Sequence, residues 1–254
     1  MHKLYLIGSG NVATHFARFF TQKHIPFIWF KPEEKKRYFN SEDERAEPTL
    51  YLCAVDEPNL VSLLDQFQGI NSDSYYGHLS GSKGMDVFPE TIRKRGFVCH
   101  PMQTFPNKTD VISLEECTYV FQGEIYIYNA LNHAVHHQLH IIQKEIISPE
   151  AYHLMGVFAS NFLPALVSIC VKLGTENGFT EAESKRLILP LMKQTLANIE
   201  GTSLVNALSG PLKRGATDVI KKHEDYLKSQ SDDLKGLYQQ LNSVLKENIL
   251  NEKK

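Results

Sequence analysis

The sequence predicts an α/β protein, with a doubly wound parallel sheet in its first half and an all-α domain in its second. Three observations carry this expectation. Up to about residue 148, short apolar runs alternate with helix-like stretches, the pattern of strand-helix-strand units. A glycine-rich turn, Gly8-Ser9-Gly10-Asn11-Val12-Ala13, stands directly between the first apolar run and the first helical pattern. Beyond Ser148-Pro149 no strand-like run follows, and proline both disfavours helix in the residue before it and suits the first helical turn. The expected domains are therefore 1–148 and 149–254.

In chain order, strands are expected over 3–7, 27–30, 50–55, 74–78, 96–99, 118–121 and 140–147. Between the first two, Val12, Phe16, Phe19 and Phe20 recur at helical spacing over 11–23, and 59–67 repeats the pattern after the third strand. In the second half, helices are expected over 150–177, 181–199, 216–229 and 232–249, with Asn177-Gly178 and Ser209-Gly210-Pro211 as breaks. The last of these presents Leu234, Leu237, Leu241, Val244, Leu245 and Ile249 on one face.

Composition narrows the function classes. The chain has 254 residues, 42% of them hydrophobic and 22% charged, and a net charge of -2. That is the make-up of a soluble globular protein. Its basic residues are scattered rather than striped, so no nucleic-acid partner is expected. The four cysteines (Cys53, Cys99, Cys117 and Cys170) form no CxxC pair and read as reduced, buried thiols. Met1 to Ile7 reaches glycine after too few apolar residues for a signal peptide, so a cytoplasmic location is expected. Leu154 to Val171 carries no formal charge. Its polar and small residues favour a buried helix at a domain or subunit interface over a membrane span, and hence a homodimer through the C-terminal helices.

The strongest local signal is the GxGxxA turn. Gly8 permits the tight bend, Gly10 lets the backbone approach a pyrophosphate, and Ala13 allows close helix-strand contact. Ser9, Asn11 and Val12 complete a helix amino terminus whose free N–H groups suit phosphate. About 20 residues further on, an NAD site usually carries an acid for the ribose 2'-hydroxyl. Here the second strand ends in Phe30-Lys31-Pro32, with Lys35, Lys36 and Arg37 close behind. Either these cations meet a 2'-phosphate, which favours NADP, or they form a solvated basic face.

In such a sheet the ligand lies beyond the carboxyl ends of the strands. The loops Ala54-Val55-Asp56, Ser80-Gly81-Ser82 and His100-Pro101-Met102 should therefore line one crevice. His100 is the candidate acid/base, since imidazole exchanges protons near neutral pH. The alternative is a histidine that merely holds the turn before Pro101.

Taken together, GxGNV, CAVDEP, HLSGS, HPMQTF, Tyr152-His153, Phe158-Ala159-Ser160-Asn161-Phe162, and Leu208-Ser209-Gly210-Pro211 with Arg214-Gly215 resemble a known group. It comprises the Rossmann-like proteins with a C-terminal helical domain of unknown function, provisionally described as NADP-dependent oxidoreductases related to pyrroline-5-carboxylate reductase. The resemblance implies a nucleotide-binding domain, a helical dimerisation domain of the 6-phosphogluconate dehydrogenase type, and a substrate cleft between them. It supplies no substrate. His100-Pro101-Met102 also resembles the HPM motif of prephenate and arogenate dehydrogenases, whose histidine contacts the hydroxyl being oxidised, although Gln103-Thr104-Phe105 departs from the glycine those enzymes carry next.

In the helical half, His153 and Ser160 are seven apart and share a helix face, with Asn161 one step round. They either face the cleft or satisfy one another inside an interface, and Thr195 with Asn198 forms a similar pair. Arg214 either clamps a substrate carboxylate or phosphate or sits in a surface ion pair. His133, His136, His137 and His140 have helical spacing but no closing carboxylate or thiol, so no metal site is expected. The resulting expectation is an oxidoreductase moving hydride between NADP and a small, anionic oxo, imino or hydroxy substrate, with His100, Ser80 and Asn161 catalytic and His153 and Arg214 binding substrate. The alternative is a non-catalytic dinucleotide-binding sensor or scaffold.

Overall fold

The computed structural model describes residues 2–31, 48–68 and 72–250. The chain divides into two compact units, Met1–Pro164 and Ala165–Lys254. In the first, the described strands form a 7-stranded sheet in the order β2-β1-β3-β4-β5-β6-β7. These are β1 (Lys3–Ile7), β2 (Ile28–Phe30), β3 (Thr49–Cys53), β4 (Tyr75–His78), β5 (Gly96–Pro101), β6 (Thr118–Gln122) and β7 (His140–Gln143). The central strands read as unbroken apolar runs because both their faces are covered. Leu4, Leu6, Leu50, Leu52 and Phe97 point into one core with helix α1 (Asn11–Gln22), while Tyr5, Ile7, Tyr51, Tyr76 and Val98 point into the other with α2 (Glu57–Asp65) and α3 (Glu90–Arg93).

Strands β1 to β5 are parallel, as expected, but β6 runs antiparallel to β5, with Cys99 opposite Phe121 and His100 opposite Val120. The physical reason is the connection. A parallel return needs a crossover, usually helical, whereas residues 102–117 hold only the single turn Leu114–Glu116. Helix α4 (Ile125–Ala134) then supplies a crossover, and β7 is parallel to β6. β7 stops at Gln143 rather than at 147 and is a short edge strand with Ile142 exposed.

The chain turns helical at Pro149, where Ser148 caps α5 (Pro149–Gly156) by accepting from the Ala151 N–H. Five residues of wider π-helix, Val157–Asn161, separate α5 from α6 (Phe162–Glu176). The compact units divide later than this change of pattern, at Pro164, because α5 is bonded back to the sheet: the Tyr152 hydroxyl meets His100.

The second unit holds most of α6, then α7 (Glu181–Gly201), α8 (Leu204–Ala207), α9 (Thr217–Gln230) and α10 (Asp232–Leu245). Thr180 and Glu183 form a reciprocal capping box at the start of α7. Among the described residues of this unit only Ser184 and Leu227 are buried. Leu187, Leu191, Leu196, Leu237, Leu241 and Val244 are all exposed.

Candidate active site

The chain leaves β1 for β2 on one side and returns to β3 on the other, so the crevice beyond β1 and β3 is the topological switch point of the sheet. The glycine turn lies there. Gly8 has φ +142, and a Cβ on it would stand 2.2 Å from the Ala54 carbonyl oxygen, so only glycine fits between the two strand ends. The turn is pinned three ways: the Gly8 N–H donates to Phe30 O (3.0 Å), the Trp29 indole N–H donates to Gly8 O (2.8 Å), and the Ala54 N–H donates to Ile7 O (2.7 Å).

Gly10 differs from Gly8. It caps α1 with an ordinary φ of -73, and a Cβ there would meet nothing within 4 Å. The space in front of it is open, and beside it the N–H groups of Ser9 to Ala13 have no acceptor among the described residues. A backbone cradle left vacant by protein atoms at a helix amino terminus fits a dinucleotide pyrophosphate. Lys31 is exposed, with its Nζ 4.2 Å above the Trp29 ring. Pro32, Lys35, Lys36 and Arg37 lie outside the described residues. Asp56 accepts from the Asn59 amide at the start of α2, and Val55 is half-buried.

The Asn11 amide donates to Phe105 O (2.8 Å), His15 Nε2 meets Asn107 O (2.8 Å), and Arg18 donates to Lys108 O and Asp110 O. One face of α1 thereby holds the loop after β5 in place. That loop walls a cavity of about 540 Å³ whose lining includes His100, Met102, Phe105, Tyr152, His153 and Asn161. A larger cavity, about 700 Å³, opens beside β6 and β7, but the side chains around it include no imidazole, hydroxyl or thiol. The imidazoles and the phenol line the smaller one.

His100 stands at the carboxyl end of β5, and its Nδ1 is 2.8 Å from the Tyr152 hydroxyl, the two rings meeting edge to face. One face of its ring lies on Gly81, where a Cβ would come within 2.5 Å of Nε2. Glycine at 81 is therefore what admits the imidazole. Burial lowers the His100 pKa to about 4, helped by the neighbouring His153 and His78. Burial likewise pushes Tyr152 up to about 12. Both groups are neutral at pH 7. Behind them His78, fully buried, accepts the Ser80 N–H on Nδ1 and is itself held down to about 4 by burial.

The structure brings together His100, His153, Ser160 and Asn161 around this cavity. The π-helical turn alters the helical register on which His153 and Ser160 were expected to align. Wide turns of this kind recur at functional sites. The Ser160 hydroxyl is within hydrogen-bond distance of Gly156 O (2.7 Å) and Asn161 Oδ1 (2.8 Å), which leaves the Asn161 NH2 edge free to donate. Ser80 is elsewhere: its hydroxyl donates to Glu57 Oε1 (2.9 Å), as does that of Ser82, and these bonds lower the Glu57 pKa. Arg214 lies in the second unit with an exposed side chain, as do Thr195 and Asn198. The four histidines do not share a helix face, because α4 ends at Ala134 and His136 and His137 take left-handed backbone. Tyr152, which sequence reasoning quoted only as part of a motif, is the partner of His100.

Residues 122–244 match the domain of unknown function DUF2520. The match begins in β6 and runs across both compact units. No curated protein sequence matches the chain. Among solved structures, it is similar to a Bacteroides fragilis protein provisionally named an NADP oxidoreductase (22% identity, TM-score 0.70, covering 97% of this chain and 98% of that one). It is similar also to a Thermotoga maritima protein (20%, 0.71, 99% and 100%) and to Plasmodium falciparum pyrroline carboxylate reductase with NADP bound (14%, 0.62, 96% and 99%). These likenesses run end to end and show the fold: a Rossmann-type sheet followed by a C-terminal helical domain.

Proposed function

We propose that the protein is an NADP-dependent oxidoreductase that moves hydride between the nicotinamide and a small oxo, imino or hydroxy substrate. The observation that carries this reading is the His100–Tyr152 pair, facing a cavity at the same sheet edge as the Gly8 to Val12 turn and tied to it through Asn11 and Phe105. A dinucleotide bound there would supply or accept the hydride. Gly8, Ser9, Gly10, Asn11 and Val12 would hold its pyrophosphate, Lys31 would meet a 2'-phosphate, and Ala54, Val55 and Asp56 would border the nicotinamide side. On this reading His100 and Asn161 act at the reacting centre and His153 contacts substrate, whereas the Ser80 hydroxyl is committed to Glu57. The relatives named for NADP support the cofactor.

The cavity lining contributes no Lys or Arg among the described residues. Nicotinamide absorbance, followed against a panel of oxo acids, imines and cyclohexadienols, tests the reading. Tight NADPH binding with no turnover of any class would favour the sensor instead.

We infer also that the chain is a homodimer through its C-terminal helices. Pro149–Glu176 is long and apolar enough by composition to cross a membrane, yet none of it is buried, and the unit that follows has almost no interior of its own. A second copy covering these faces supplies the missing core, as obligate interfaces do. As a soluble cytoplasmic dimer the protein should purify without detergent, and a requirement for detergent would favour lipid as the cover.

A further inference from the structure

We propose that the substrate of this site is a small oxo, imino or hydroxy compound with an apolar body and no carboxylate or phosphate, and that Glu57 is the specificity-determining residue that turns anionic analogues away. This rests on the oxidoreductase reading above and deepens it, in place of the anionic substrate expected from the sequence.

A substrate is recognised by the polar groups that its cavity leaves uncommitted, and here they are few. His100 and Tyr152 bond each other. Gln103 accepts the Thr104 N–H on Oε1 (2.8 Å) and donates its NH2 to Cys117 Sγ (3.4 Å). The Ser160 hydroxyl is engaged with Gly156 O and Asn161 Oδ1. Among the described lining residues, that leaves the Asn161 NH2, the His153 ring and the second nitrogen of His100 for a ligand. These suit one carbonyl, imine or hydroxyl head. Much of the remaining wall is carbon and sulfur, from Met102, Phe105, Pro106, Val157 and Ala159, which suits an apolar body. A carboxylate or phosphate drawn into such a space would lose its water without gaining a partner.

The charge that does stand at this site is negative. Gly81 lies against one face of the His100 ring, and the residues on either side of it, Ser80 and Ser82, both donate their hydroxyls to Glu57 Oε1. The carboxylate is thereby anchored to the short loop on which the imidazole rests. Its Oε2 is unengaged among the described residues. The bonds from Ser82 and Ser80 hold its carboxyl below the usual carboxylate range, helped by Lys83 and His153, so it is ionised at neutral pH. A positive charge on the His153 ring would therefore already face Glu57. Lys83 is also within electrostatic reach of Glu57, but it is absent from the cavity lining and Glu150 shares it. Specificity can rest on a like charge set against the wrong ligand as well as on contacts to the right one.

The test is calorimetric and uses the full-length protein loaded with NADP⁺, so that no carbonyl is reduced during titration. Two pairs of ligands match in shape and differ in charge: 4-oxocyclohexanecarboxylate against its carboxamide, and 1-pyrroline-5-carboxylate against its carboxamide. Each carboxamide should bind at least roughly 10-fold more tightly than its carboxylate. Glu57→Gln, which keeps an oxygen acceptor for both hydroxyls, should narrow that gap by about 3 to 10-fold, the scale of one partly screened charge, with the thermal midpoint unchanged. Should the variant melt early, high salt applied to the wild type makes the same measurement, because screening should narrow the gap as well. If neither NADP⁺ nor NADPH binds the wild type, the oxidoreductase reading falls and takes this one with it. If the dinucleotide binds but the carboxylates bind as tightly as the carboxamides, or no member of either pair binds, or the gap ignores both Glu57→Gln and salt, this proposal alone is overturned.

Discussion

The two glycines of the turn predict opposite failures when each is replaced. At Gly8 a methyl group overlaps the Ala54 carbonyl at 2.2 Å, and φ is +142. Left-handed strain and overpacking together cost about 3 kcal/mol, which for a chain of this size lowers the thermal midpoint by roughly 6 to 12 °C. At Gly10 the φ is ordinary and the space is open, so Gly10→Val sacrifices only a favourable cap, about 1 kcal/mol. What it does block is the approach of phosphate to the free N–H groups of α1. Each charge-assisted bond there is worth about 1.5 to 3 kcal/mol, so losing two raises the Kd for NADPH by about 10² to 10⁴-fold. Trp29 is the single tryptophan of the chain and its indole N–H holds the Gly8 carbonyl, so its fluorescence reports binding directly. The expected pattern is Gly8→Ala unstable, and Gly10→Val folded but unable to bind. A folded Gly10→Val that binds NADPH like the wild type would refute the placement of the pyrophosphate.

Further outcomes follow from the same geometry. Calorimetry should show NADPH bound more tightly than NADH, with the preference narrowed or reversed in Lys31→Asp; a wild-type preference for NADH removes Lys31 from the cofactor site. Light scattering should return twice the 28.9 kDa chain mass, and a monomer at micromolar concentration would leave the exposed helical faces without their proposed cover. His78 is neutral in the fold down to about pH 4 but protonates near 6.5 when unfolded. The unfolded state thus binds the extra proton between those values, and stability present above 6.5 is lost as pH falls toward 4, by roughly 3 kcal/mol. Urea titrations of His78→Gln should lack that share of the acid sensitivity; an unchanged pH dependence would mean that His78 is already charged in the fold.

The order of elements could be read from residue patterns because each pattern reports a local cause. Leu4 to Ile7 and Leu50 to Cys53 are apolar on every residue because both sheet faces are covered, and Phe16, Phe19 and Phe20 fall on the buried stripe of α1. The direction of β6 could not be read this way. Alternation of side chains is the same for a parallel and an antiparallel strand, and only the lack of a helix in 102–117 separates them. The breadth of the Val157–Asn161 turn was equally invisible, since an apolar stretch with Ser160 and Asn161 in it suits either helical pitch.

The site was legible only where chemistry sits next to its scaffold in the chain. The glycine turn joins β1 to α1, so six consecutive residues carry its whole logic. His100 could be placed at the end of β5 by the same reasoning, but what it does depends on Tyr152, 52 residues away, and on Gly81, whose missing side chain makes room for the ring. Neither relation leaves a periodic trace. Ser80 shows the converse: its position at the end of β4 suggested a free hydroxyl, yet Glu57 and Ser82 claim it. A residue's address beyond a strand end thus says that it borders the crevice, and its hydrogen-bond partners say whether it can act there. By that criterion the Asn161 amide keeps a donor to spare, whereas the Tyr152 hydroxyl and His100 Nδ1 are committed to each other, and both relations join the first turns of the helical segment to the sheet that presents His100.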